Sequence, residues 1–170
     1  MKRVRHDMAT GICSMAALIL LILSTAAAQE QANTSQILTL QVVETNRIDI
    51  SQKSLTLVIS QASLESGGPV EAVNEEGVLI WLTNGENKKV TVASNNSSPK
   101  FLVKMRAADI TGGSGTAAAD AILNDNTTKD LITGISKSFG RSKVRLVASA
   151  RVSDGVGTET YTITYTITGG

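Results

Sequence analysis

The 170-residue chain predicts an all-β protein, an antiparallel β-sandwich (Ig-like or pilin-like) of about seven to nine strands behind a signal peptide. Three observations predict it. Apolar and polar residues alternate with a period of two along most of the chain. Turn signals rich in Gly, Asn and Pro separate the alternating runs. Hydrophobic residues make up 42% and charged residues 18%, so the chain can bury a core and is not composed like a disordered protein.

Residues 1–28 read as the signal peptide. Lys2, Arg3 and Arg5 form a positive start, residues 15–23 an apolar run, and Ala26-Ala27-Ala28 a small-residue cleavage site before Gln29. An uncleaved membrane anchor is the alternative, but the run is well short of the ~20 residues that a spanning helix needs. Cleavage after Ala28 removes three basic residues and one acidic one, turning the formal charge of +1 into −1. It also removes Cys13 and His6, the only cysteine and the only histidine. The mature chain then has no disulfide, no Cys/His zinc site, no histidine base and no cysteine nucleophile. No membrane span remains after cleavage. The near-zero charge argues against a nucleic-acid partner that relies on phosphate neutralisation.

Residues 29–170 read as one sandwich domain, of which 29–36 is a loose polar arm. Residues 37–43, 47–50 and 54–59 have the apolar, β-branched composition of strands. A break follows at 65–69, then the nearly continuous apolar run 78–82. Asn84-Gly85 and the strand-like residues 88–92 come next, which predicts a hairpin with a somewhat long loop. Residues 95–99 form another turn. Phe101, Val103 and Met105 then alternate with Leu102, Lys104 and Arg106. The Gly112-Gly113-Ser114-Gly115 loop leads to residues 117–123, a helical turn or weak strand, and residues 131–135 make a short strand. Two long strands finish the chain. In the first, Val144, Leu146, Ala148, Ala150 and Val152 share one face, and Lys143, Arg145, Val147, Ser149 and Arg151 the other. In the second, residues 158–168, Tyr161, Ile163, Tyr165 and Ile167 oppose a ladder of threonines.

Chemistry-bearing residues are sparse. The glycine loop lacks the Gly-Lys-Ser/Thr ending of a nucleotide loop and reads as a strand connection. Asp120, Asn124, Asp125, Asn126 and Asp130 could offer oxygens to calcium, but their spacing does not match the twelve-residue calcium loop, and Asn and Asp also favour turns. Glu75-Glu76 reads as a solvated pair in a polar loop, not a glycosidase dyad. Trp81 reads as core. The threonine ladder fits an exposed strand face better than an ice-binding array. Asn33, Asn95, Asn96 and Asn126 open acceptor triplets that matter only in a glycosylating host. No catalytic residue, cofactor or metal is expected.

Two blocks carry a resemblance. One is Arg47-Ile48-Asp49-Ile50, Gly67-Gly68-Pro69-Val70, Val78-Leu79-Ile80-Trp81-Leu82 and Lys89-Val90-Thr91-Val92. The other is Asp130-Leu131-Ile132-Thr133-Gly134-Ile135 with the closing Tyr-Thr-Ile-Thr strand. Together they resemble a group of uncharacterised secreted bacterial β-sandwich proteins, loosely similar to pilin-like or spore-coat-like surface subunits. The resemblance implies a surface protein and no active site.

The expected function is therefore a secreted, periplasmic or cell-surface structural or adhesion subunit that acts without catalysis. It would self-associate, or join another surface subunit, by β-strand addition. Ile37, Leu38, Leu40 and Val42 are the candidate donor residues. Tyr161, Ile163, Tyr165 and Ile167 lie on the candidate acceptor edge. In the plainer alternative both segments belong to one self-contained sandwich. A second function is a monomeric envelope- or glycan-binding module, whose anionic ligand would meet Lys104, Arg106, Arg145 and Arg151. More commonly such residues are the wet face of a sheet. A secreted hydrolase ranks last, because nothing places an acid beside a base.

Overall fold

The computed structural model describes residues 34–60 and 68–170. The expected signal peptide at 1–28 and the break at 65–67 lie outside the described residues. The chain divides into two compact units, residues 1–41 and 42–170. In the first, described residues 34–41 form no strand. Among the described residues, the second holds nine strands and no helix beyond a three-residue 3₁₀ turn at Val152–Asp154.

The strands are β1 (Asn46–Ile50), β2 (Val70–Thr83), β3 (Lys88–Ser94), β4 (Leu102–Thr111), β5 (Thr116–Ala117), β6 (Ala121–Ile122), β7 (Lys129–Ile135), β8 (Ser138–Ala150) and β9 (Ile163–Gly169). They form two antiparallel sheets, one ordered β1-β2-β8-β4-β6 and the other β5-β7-β3-β9. From β2 onward every successive strand changes sheet. That overturns the expected Asn84-Gly85 hairpin. The turn is present, but β2 pairs with β1 and β8 while β3 pairs with β7 and β9. A four-residue link with Asn87 at φ 48° turns the chain out of one sheet and into the other. Asn84 instead braces the start of β1: its Oδ1 accepts from Thr45 N and its Nδ2 donates to Val43 O.

Period-two alternation explains what each sheet buries. Leu79 and Trp81 of β2, Val103, Met105 and Ala107 of β4 and Val144 of β8 point to one side of the first sheet. Val90 and Val92 of β3 and Leu131, Ile132 and Ile135 of β7 come from the second. All belong to one apolar cluster, onto which Ile48, Ile163, Tyr165 and Ile167 pack at the margin. Each fully buried large aliphatic side chain adds roughly 1.5–3 kcal/mol. Gly140 faces Trp81 across the β2–β8 ladder. A β-carbon there would stand 2.9 Å from the indole Nε1, so only glycine lets the ring lie against the β8 backbone. That indole N–H has no hydrogen-bond partner among the described residues.

Several expected elements differ. Residues 37–43 and 54–59 belong to no sheet. Just past the last β1 pair, the Ser51 N–H donates to Val78 O and the Ser51 hydroxyl accepts the Val78 N–H, both at 2.9 Å. Glu75 and Glu76 are not in a loop: they form a bulge inside the continuous β2, between Asn74 and Gly77. Residues 117–123 contribute two short strands, β5 and β6. Val152 leaves the β8 face because Asp154 Oδ2 accepts the Arg151 N–H at 2.7 Å and turns the chain. Tyr161 precedes β9 and is held by its hydroxyl, not by a ladder. The expected faces of β8 are correct in register, yet Val147 and Ser149, on the wet side, are buried. Lys104 is the Cα partner of Val147, and the aliphatic stems of Lys104, Arg106 and Arg145 surround it.

Candidate functional site

Four strands lie at sheet edges: β1, β6, β5 and β9. β5 and β6 have two residues each and offer little to pair with. β1 carries Arg47 and Asp49, charges that discourage a further strand. β9 is different. It runs seven residues, Ile163–Gly169, with no charge, proline or bulge, and its pairing with β3 is regular throughout. Ile163, Tyr165 and Ile167 pack against the core and are only partly buried, and no strand is hydrogen-bonded to the outer side of β9. Burial still pushes the Tyr165 hydroxyl up to about 12, so it stays protonated at any physiological pH.

The candidate donor residues are placed in full contact with solvent. Ile37 is 92% exposed, Leu40 81% and Val42 86%, with Leu38 also exposed. In a strand, Leu38, Leu40 and Val42 would share one side, opposite Thr39 and Gln41.

The four candidate cations fall into two groups. Arg106 of β4 sits directly opposite Arg145 of β8. Like charges so placed repel, and carboxylates offset them: Asp120 lies 3.9 Å from Arg106, and Glu75 2.8 Å from Arg145. Asp109 pairs in the same way with Lys143, 2.9 Å away, and holds its ammonium above the usual lysine range. Lys104 and Arg151 have no ion-pair partner among the described residues. They line an open pocket of about 440 Å³ where β2, β4 and β8 meet the loops after residues 98 and 150.

One wall of that pocket is fixed by Glu159. Its carboxylate accepts from Lys100 N (2.9 Å), Phe101 N (3.0 Å) and the Tyr161 hydroxyl (2.6 Å), and that hydroxyl also donates to Phe101 O. Burial alone would raise the Glu159 carboxyl, but these donors outweigh it and hold it below its ordinary 4.5. Burial and the adjacent carboxylate raise Tyr161. The bonds to Glu159 are therefore worth most above pH 4.5 and are lost as pH falls through the lowered value. Stability should decline on acidification below that point. Glu159→Gln should cost about 1 kcal/mol at neutral pH and flatten the acid decline, measured by urea unfolding at several pH values. An unchanged acid limb would exclude this role.

Other sequence candidates are dispersed. Asp125 accepts from Thr127 N and Oγ1, and Lys129 stands 3.3 Å away, so the Asp125 carboxylate closes a turn. Asp130 pairs with Lys89, and Asp120 with Arg106. No group of three or more His, Cys, Asp or Glu that could hold a metal occurs among the described residues. Gly112 and Gly115 adopt positive φ in the link between β4 and β5. No described helix is long and apolar enough to cross a membrane. Lys100 is legible in the sequence as part of a basic stripe with Lys104 and Arg106, whereas sequence reading missed Phe101, Ser149 and Glu159 at the pocket. Phe101 was visible only as an alternating apolar residue, and Glu159 had no signal, since its partners lie about 60 positions away.

No family model matches the chain, and no solved structure matches it. Part of it is similar to the large ribosomal subunit protein bL12 of Borrelia turicatae, 30% identical over 86 residues. The likeness covers 51% of this chain and 66% of that protein, just under two thirds of its length.

Proposed function

We propose that the chain is a secreted or cell-surface structural and adhesion subunit, a β-sandwich that assembles by lending residues 37–43 as a strand to a neighbour's sheet. The observation that carries the reading is the exposed, alternating apolar segment itself. Leaving Ile37, Leu38, Leu40 and Val42 in water forfeits roughly 1.5–3 kcal/mol for each large side chain that a partner would bury. β9 is the acceptor that fits. Leu38, Leu40 and Val42 would extend the apolar side formed by Ile163, Tyr165 and Ile167. Thr39 and Gln41 would continue the threonine ladder. Backbone pairing supplies affinity and the alternate side chains supply selectivity. Nothing in this mechanism calls for catalysis.

The test is the size of residues 29–170 by light scattering, with negative-stain images of the same sample. A concentration-dependent ladder or filaments are expected. Replacing Ile37, Leu38, Leu40 and Val42 by serine should return the protein to monomer. A clean monomer of the unaltered protein at every concentration overturns the reading. A second reading, a monomeric envelope- or glycan-binding module, draws on Lys104 and Arg151 at the open pocket.

A further inference from the structure

We infer that the pocket between β2, β4, β8 and the 99–101 and 151–154 loops binds a carboxylated sugar of the uronic-acid class. The inference does not depend on strand assembly. Lys104 and Arg151 line the pocket, and neither forms an ion pair among the described residues, although Glu71 and Asp154 line the same space; Arg106 and Arg145 are each paired with a carboxylate. Two cations converging on one space suit a single carboxylate, which can accept from both. Ser149 lines the same space, and its hydroxyl makes no hydrogen bond among the described residues, so it can donate to or accept from a ligand.

The remaining lining suits a sugar ring better than a simple anion. Phe101 presents an apolar surface held in place by Glu159 and Tyr161. The Lys100 ammonium lies 5.3 Å from its centroid and donates to Val156 O, so that cation is already engaged. Asn124 and Glu71 add an amide and a carboxylate that can bond ring hydroxyls. Glu71 and Asp154 also place negative charge at the rim, which disfavours sulfate or polyphosphate more than a singly charged carboxylate. The pocket's size falls in the ordinary range for small-molecule sites.

The experiment is an NMR titration of residues 29–170 with digalacturonate, beside the neutral galactose disaccharide and inorganic sulfate. Saturable shifts at Asn124, Ser149 and Arg151 are expected with digalacturonate alone. Lys104→Ser combined with Arg151→Ser should weaken binding about tenfold or more. Arg106→Ser combined with Arg145→Ser should leave it within about twofold, and Lys104→Arg should retain it. An unchanged unfolding midpoint shows that the double variant is folded. If it is not, the two single serine variants carry the test, each with a several-fold loss. Equal binding of sulfate or the neutral sugar overturns the proposal, as does undiminished binding by the serine variants. Absence of any shift with digalacturonate overturns it too.

Discussion

Gly140→Ala is expected to destabilise the protein by about 3 kcal/mol, near the upper end for overpacking a core. The added methyl would come within 2.5 Å of the Trp81 Cε2, and the indole is fully buried with the β8 backbone behind it. Neither side can give way: the ring is enclosed by the apolar cluster, and β8 is hydrogen-bonded on both edges, to β2 and β4. Against a typical total of about 5–15 kcal/mol, that loss is a large share. Urea unfolding followed by tryptophan fluorescence measures it, because Trp81 is the only tryptophan. Trp81→Leu should recover part of the loss in the Gly140→Ala background, read by circular dichroism, since the two residues share one clash. Gly134→Ala is the comparison. A methyl there meets nothing within 4 Å, so it pays only for a left-handed φ of 69°, about 1–2 kcal/mol. If the two alanine variants were equally stable, close packing of the indole would not be the reason for glycine at 140.

The second large effect concerns assembly without stability. Thr164→Lys combined with Thr166→Lys places two ammonium groups on the solvent side of β9. Natural edge strands use lysine in this way to discourage pairing. Light scattering should show the assemblies reduced to monomer, while the unfolding midpoint shifts by no more than about 0.5 kcal/mol, as for other exposed positions. Assemblies that survive the double lysine change would remove β9 as the acceptor. Were they still sensitive to the serine changes at Leu38 and Leu40, another edge would have to take the strand.

The all-β class was legible because alternation is a local property. Leu79 and Trp81 point inward, and Ile80 and Leu82 outward, for reasons contained within five consecutive residues. Partnership was not local, which is why the Asn84-Gly85 turn misled: it looks like a hairpin, but its two strands lie in different sheets. The same limit applies to residues 54–59. Their pattern is that of a strand, yet they belong to no sheet, and nothing within the segment itself signals that. At the basic face, alternation put Lys104 and Arg106 on one face of their strand and Arg145 on one face of another, and only the register of β4 with β8 brings the two together. Alternation could not divide them, because the dividing carboxylates, Asp120 and Glu75, come from other strands or links. Ser149 was visible as a wet-face residue, and only the register with Leu102 and Glu71 shows how it becomes covered.

The alternation of the chain between sheets has a consequence for when this protein can fold. Only β1 and β2 are sequence neighbours that also pair. Every other ladder joins segments separated by at least one intervening strand, and β8, third from last to be made if the short 3₁₀ turn is counted, is the centre of the five-stranded sheet. Loop closure must precede the contacts that reward it, so topologies of this kind form slowly. Until residues 138–150 are available, β2 and β4 have no strand between them and the first sheet is two unconnected fragments. The first sheet becomes continuous only once β8 joins it.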